Sequence, residues 1–252
     1  MTPQEALSQV RSRFPFPGYN VENDASYLTV GKIVEKYVPA GGRVYDFGSG
    51  PCDKTAIAAA MGYDCTAYDD LGDNWHKEGD KRDRILAFAE EFGIRFRETF
   101  APSTDGPFDM VMMNDVLEHL HESPRPLLTE LVSSLKPGGI LFASVPNLAN
   151  LRKRLSLLRG RTNLPSFDLY FSWDGFWRGP VREYVRGDLT TMTRRMGLEL
   201  VELSTAHHML KNLKSSPTRA AYLAVTRLFP DLADTWVLVV RRPANWTPEH
   251  VA

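Results

Sequence analysis

Tyr45-Asp46-Phe47-Gly48-Ser49-Gly50-Pro51 ends a short β-rich run, RVYDF (43–47), in an acid and a glycine turn. An Ala-rich helical stretch, DKTAIAAAM (53–61), follows at once. Few architectures accept this order. The glycines let backbone approach a ligand in conformations that side chains forbid. The helix start presents free N–H groups to the same ligand. A second acid, Asp69, closes the next β-rich run, CTAYD (65–69), 19 residues after Gly50. That is where a ribose-binding carboxylate stands in a nucleotide-type site. A plain βα turn with a structural aspartate looks alike locally, but the full order strand, acid, glycine turn, helix, strand, acid favours a ligand site.

Two ligand classes fit poorly. The dinucleotide pattern GxGxxG fails because Asp53 stands at its third glycine, and an aspartate at a helix start repels a pyrophosphate. The pattern GxxxxGK[ST] is absent. Acids without a phosphate clamp suit a ligand bearing hydroxyls, an ammonium or a sulfonium.

The alternation continues along the chain. Helices are expected over 3–13, from an Asn23 or Asp24 cap to about Tyr37, over 80–92, from Ser123-Pro124 to Leu135, over 186–197 and over 217–229. Further strands are expected at 94–98, 108–114, 140–145, 198–206 and 235–242, with KPGG (136–139) as a turn. Strands alternating with helices imply βαβ units and a parallel sheet, with ligands at the carboxyl ends of the strands. Residues 148–184 and 207–230 interrupt the pattern and read as insertions over that edge. One domain follows: N-terminal helices (1–42), a ligand-binding core (43–147), a cap (148–184), and a C-terminal part of the sheet (185–252).

Composition narrows the class further. Thirty basic and 31 acidic residues leave a net charge of −1, so no global basic field draws the chain to nucleic acid. Two cysteines, Cys52 and Cys65, make no disulfide framework and suit a reducing compartment. The N-terminus lacks the apolar stretch of a signal peptide, and no run approaches a membrane span. A cytoplasmic protein is expected.

Residues 43–145 resemble the core of a class I S-adenosylmethionine-dependent methyltransferase. Asp46-Phe47-Gly48-Ser49-Gly50 is similar to that family's first motif, and Asp69 to its ribose-binding acid. FDMVMMNDVLEHL (108–120) resembles its fourth-strand motif, in a form common among small-molecule and glycan methyltransferases. LKPGGILFASVPN (135–147) resembles its fifth strand with the preceding turn. These motifs cover about three fifths of the chain, in order. The resemblance implies a Rossmann-like, doubly wound α/β fold of seven strands, the last antiparallel, with S-adenosylmethionine as cofactor. It implies that Asp46, Gly48, Ser49 and Gly50 cradle the amino-acid end of the cofactor. Asp69, with Asp70 beside it, would take the ribose, and Asn114 and Asp115 would line the same pocket. Cys52 stands where the family often has a third glycine. A helix start can lower a thiol pKa, yet Cys52 reads as a filler rather than a nucleophile. After the third strand the family often places an adenine-contacting aspartate; here Glu98 and Thr99 are nearest, and Phe100 is an alternative through packing.

Asp115, Glu118 and His119 form a weak metal signal without a confirming partner, so no metal is expected. His119 is the better candidate for chemistry, with His121 next. A hydroxyl acceptor must lose a proton, and histidine titrates near neutrality. A histidine that only bonds backbone at a strand end is the plainer reading.

The cap carries the acceptor candidates. In LRKRLSLLRGR (151–161), Leu148, Leu151, Leu155 and Leu158 fall at helical spacing, among Arg152, Lys153, Arg154, Arg159 and Arg161. A surface helix with its leucine stripe on the core is slightly favoured over contact with an anionic acceptor, a membrane surface or RNA. In FDLYFSWDGFW (167–177), six of eleven residues are aromatic, a density unusual outside a buried core. Tyr170 and Trp173 are candidate acceptor contacts from this run. Arg182 and Tyr184 are candidates from VREYVRGDL (181–189), as is Tyr19 from PFPGYN (15–20). The acceptor is expected to be a sugar in a glycan or glycosylated metabolite. A small aromatic or quinone-like metabolite is the runner-up. A noncatalytic binding module and a nicotinamide oxidoreductase are the rival classes. Oligomeric state has no readable signature.

Overall fold

A computed structural model describes residues 1–19, 23–210, 213 and 216–251. In chain order the elements are α1 (Pro3–Arg13), α2 (Asp24–Tyr37), β1 (Arg43–Phe47), α3 (Asp53–Ala60), β2 (Asp64–Tyr68), α4 (Asn74–Lys77) and α5 (Lys81–Glu91). Then come β3 (Arg95–Arg97), α6 (Pro102–Asp105), β4 (Phe108–Asn114), α7 (Pro124–Ser133), β5 (Leu135–Pro146), α8 (Leu151–Leu158) and α9 (Phe167–Phe171). The chain closes with α10 (Arg186–Arg195), β6 (Glu199–Ala206), α11 (Ser216–Leu228) and β7 (Thr235–Arg241).

The strands form one seven-stranded sheet in the order β3-β2-β1-β4-β5-β7-β6. β7 runs antiparallel to both neighbours, and the other described pairings are parallel. The expected Rossmann-like fold with an antiparallel last strand is therefore present. Strand order reverses between β1 and β4, which opens a crevice at their carboxyl ends.

Both faces of the sheet are covered because side chains alternate along each strand. Val44, Met110 and Ile140 stand in register and join one core cluster with α1, α2 and α3. Tyr45, Val111 and Leu141 stand in the next row and join the opposite cluster with α7 and Leu189 of α10. Central strands buried on both faces read as continuous apolar runs.

The differences from expectation are local. KPGG (136–139) is not a free turn but the start of β5. Gly138 donates to the Arg242 carbonyl, and Arg242 donates back to Gly139, so the end of β7 draws this stretch into the sheet. The leucine stripe does not lie on the core. No residue of α8 is buried, and Leu158 is 83% exposed. Instead, Asn150 caps α8, Lys153 pairs with Glu183, and Leu155, Leu157 and Leu158 are exposed. The aromatic run is likewise exposed, with Phe167 at 71% and Phe171 at 76%. Among the described residues no helix is long and apolar enough to cross a membrane.

Candidate functional site

A cavity of about 540 Å³ occupies the crevice between β1 and β4. Gly48 and Gly50 form its floor, and Asp69, Asp70, Asp115 and His119 reach its wall. The floor requires glycine. Gly48 has φ +70°, and a Cβ there would come within 2.7 Å of Val116 Cγ2. Gly50 has φ +53°. The loop is fixed by the N–H groups of Gly48 and Ser49, which both donate to the Tyr68 carbonyl, at 2.8 and 3.0 Å.

Asp69 stands just past β2, with both carboxylate oxygens in use. Gly50 N–H donates to Oδ2 and Leu71 N–H to Oδ1, each at 2.8 Å. Burial nevertheless raises its pKa against these two donors. Each oxygen keeps lone pairs for a further donor. Asp70 accepts from Gly72 N–H and pairs with Arg178 at 3.3 Å. Burial pushes its carboxyl up, but the Arg178 hydrogen bonds and charge outweigh it and hold Asp70 below the usual range.

Asp46, Ser49 and Asn114 stand behind the wall. Asp46 is 2% exposed and accepts the Thr55 hydroxyl at 2.5 Å, while burial pushes its pKa up to about 7. The Ser49 hydroxyl oxygen lies 3.7 Å from Cys52 Sγ. Asn114 pairs in register with Ser144, whose hydroxyl donates to Asn114 Oδ1. Asn114 Nδ2 is thereby left buried without a partner. A buried donor with no acceptor is costly. Cys52 starts α3 at φ +62°, where glycine would sit without strain. Burial pushes its thiol well above the ordinary value, so it is no thiolate.

Described non-glycine residues with positive φ are Cys52, Leu71 and Asp115. All three flank this cavity, where strained backbone commonly accompanies function.

Several wall residues carried no sequence signal. Tyr19, an expected acceptor contact, does line the cavity, and its ring lies 5.1 Å from that of Trp75. Trp75 and His76 of α4 line it too. Asn20, the last residue of the PFPGYN stretch, lies outside the described residues. Phe47 and Tyr68 stack at 5.2 Å on the wall, with Phe100 edge-on behind them. Glu98 is turned away and holds Arg82.

His119 and His121 bond the backbone, but that of the cap rather than of a strand. His119 Nδ1 is 2.8 Å from the Arg178 carbonyl, and His121 Nε2 is 2.7 Å from that of Trp177. A carbonyl only accepts, so each of these nitrogens carries the proton. The free nitrogen of His119 is then Nε2, 3.8 Å from Glu118 Oε1. Glu118 is 2% exposed, and burial, reinforced by the Asp115 charge, pushes it up to about 8. His119 lines the 540 Å³ cavity. His121 instead lines a second cavity of about 530 Å³ with Leu164, Phe167, Tyr170 and Trp177.

The other acceptor candidates are spread out. Trp173 packs edge-on against Trp177 and donates its indole N–H to the Phe176 carbonyl. Tyr184 is buried, and its hydroxyl donates to the Leu117 carbonyl at 3.3 Å. Tyr184 and Arg182 line a third cavity of about 660 Å³ beside α10. Among the described residues no group of three or more His, Cys, Asp or Glu side chains is placed to hold a metal ion.

A family model described as "Methyltransferase domain" matches residues 25–203. The chain belongs to the methyltransferase-domain family. Its fold is that of the class I S-adenosylmethionine-dependent methyltransferases. A 1,6-didemethyltoxoflavin-N1-methyltransferase from Burkholderia thailandensis is 17% identical, with a TM-score of 0.57 over 96% of this chain and 91% of that one. That protein was crystallised with bound 1,6-didemethyltoxoflavin and S-adenosylhomocysteine. A magnesium protoporphyrin IX methyltransferase from Synechocystis, also with S-adenosylhomocysteine, is 14% identical, with a TM-score of 0.55 over 95% of each chain. A cyclopropane-fatty-acyl-phospholipid synthase-like protein from Lactobacillus casei is 13% identical, with a TM-score of 0.59 over 94% and 99%. No curated protein matches this methyltransferase.

Proposed function

We propose that this methyltransferase uses S-adenosylmethionine to methylate a hydroxyl of a small-molecule acceptor, a sugar of a glycan or glycosylated metabolite. The residues present fit the cofactor: a floor that admits no Cβ at Gly48 and a carboxylate with spare lone pairs at Asp69. Asp69 would take the ribose hydroxyls, and Gly48 and Gly50 would let the amino-acid end approach the loop. Bound there, S-adenosylmethionine supplies a methyl group already activated by its sulfonium. The protein's task is then to align the acceptor and manage one proton.

The observation that carries the hydroxyl reading is the His119–Arg178 hydrogen bond. It fixes the proton on Nδ1 and leaves Nε2 free as the acceptor of a hydroxyl proton. Aromatic faces favour a sugar ring, and Phe167, Tyr170 and Trp177 offer them beside His121. The apolar partners in that cavity, Leu164, Pro165, Pro180 and Val181, favour a second reading, a small aromatic metabolite.

Calorimetric titration with S-adenosylhomocysteine comes first, with NAD as control and Asp69→Ala as variant. Binding that weakens in the variant and is absent for NAD supports the cofactor reading. If neither ligand binds, the reading fails. An acceptor screen starting from glycans and glycosides, then small phenols, follows. With a turned-over acceptor, His119→Ala should lower the saturated rate by about 100-fold or more while leaving S-adenosylhomocysteine affinity unchanged. A normal rate in that variant removes His119 as base.

A further inference from the structure

We propose that most of the cap, residues 148–181, seats on the surface of an anionic lipid bilayer. Fifteen large hydrophobic side chains are exposed among the described residues, and eleven of them fall in this segment. Neither α8 nor α9 buries a single residue. Soluble monomers rarely display apolar surface so concentrated. Leu228 and Phe229 extend it, at 75% and 61% exposure. They stand near the root of the cap, because Asn147 donates to the carbonyls of Asp231 and Ala233 just beyond α11.

Charge selects the occupant. Residues 148–181 hold six basic side chains against two acids, Asp168 and Asp174, and Arg154, Arg159 and Arg161 are exposed among the leucines. The rest of the chain offsets this charge to a net −1, so the basic field is local to the cap. A second copy docking through this face would bring two like-charged basic patches together, since a two-fold contact uses the same patch on both copies. An anionic bilayer meets both demands: the leucine and aromatic side chains enter the headgroup–acyl boundary while the arginines reach lipid phosphates. No described helix crosses a membrane, so the seating is peripheral. The 530 Å³ cavity lined by Leu164 and Phe167 lies in the same segment and would receive an amphiphile from that surface.

The test is co-sedimentation of the full chain, without cofactor, with vesicles of phosphatidylcholine alone or mixed equally with phosphatidylglycerol. The chain should sediment with the mixed vesicles, weakly with the neutral ones, and less as salt rises. Arg159→Glu/Arg161→Glu and Leu157→Ser/Leu158→Ser should each weaken binding by roughly tenfold or more, with thermal unfolding unchanged, because these side chains are exposed. Absence of sedimentation with mixed vesicles overturns the proposal, as does binding by both variants equal to that of the unmodified chain. A dimer in light scattering that Leu157→Ser/Leu158→Ser converts to monomer also overturns it and assigns the face to a second copy. No outcome depends on methyl transfer, so failure here is separate from failure of the enzymatic reading.

Discussion

Lys54 Nζ and Asp115 Oδ2 meet at 2.6 Å, one from the first turn of α3 and the other from the bend after β4. The pair joins the two elements that flank the cavity. Burial alone would raise the Asp115 carboxyl, but the Lys54 charge outweighs it and holds the group below its ordinary value. Lys54→Met would leave Asp115 with its charge and without its partner. Stability should fall by about 1–3 kcal/mol, and S-adenosylhomocysteine should bind more weakly as the β4 bend relaxes. Urea unfolding and calorimetry read the two effects. Unchanged stability would show that the pair ties nothing together.

Gly48→Ala should both strain the loop and drive a methyl into Val116. The expected loss is about 1–3 kcal/mol of stability together with cofactor affinity. Adding Val116→Ala should recover the steric part and leave the cost of φ +70°. Full recovery in the double variant would mean that the left-handed conformation costs nothing here.

Glu118 and Asp46 make stability depend on pH. Burial raises them from 4.5 to about 8 and from 3.8 to about 7. Between the ordinary and the raised values the folded chain keeps protons that the unfolded chain has released. Stability therefore falls as pH rises through this window and levels off above it. Glu118→Gln should shrink the loss between about pH 5 and pH 8 by on the order of 2 kcal/mol. Chemical denaturation across that range checks it, and identical slopes for the two proteins would contradict it.

Cys52 and Cys65 should both resist an aromatic disulfide reagent in the native state and react fully after denaturation. Both are buried, and burial raises both thiols. Rapid native reaction of Cys52 would mean that the glycine loop opens readily.

Much of the fold was legible because buried parallel strands are written as local apolar runs. FDMVMMN became β4 without a shift of either end. The glycine loop and Asp69 were legible for a similar reason, since a tight turn leaves few residue choices. Lys54 was overlooked, although a lysine in the first turn of a helix opposes the helix dipole and signals a partner. That partner, Asp115, lies 61 residues away. Arg178, 108 residues from Asp70, left no trace at all. The leucine spacing of α8 predicts a helix, which is present, but no residue of that helix is buried. Spacing fixes which residues share a stripe, whereas only the tertiary setting fixes where the stripe points.

The cap meets the β4 end largely through main-chain atoms. Carbonyls of Trp177 and Arg178 receive the two histidines, and the N–H groups of Val181 and Arg182 donate to the Glu118 carbonyl at 2.6 and 3.1 Å. Any residue type supplies such carbonyls, and any but proline such N–H groups. Mutation can therefore rewrite the outward side chains of 148–181 while the orientation of His119 is inherited intact. A lineage built this way can drift from one acceptor to another by many small steps, without passing through an ancestor whose proton acceptor has lost its place.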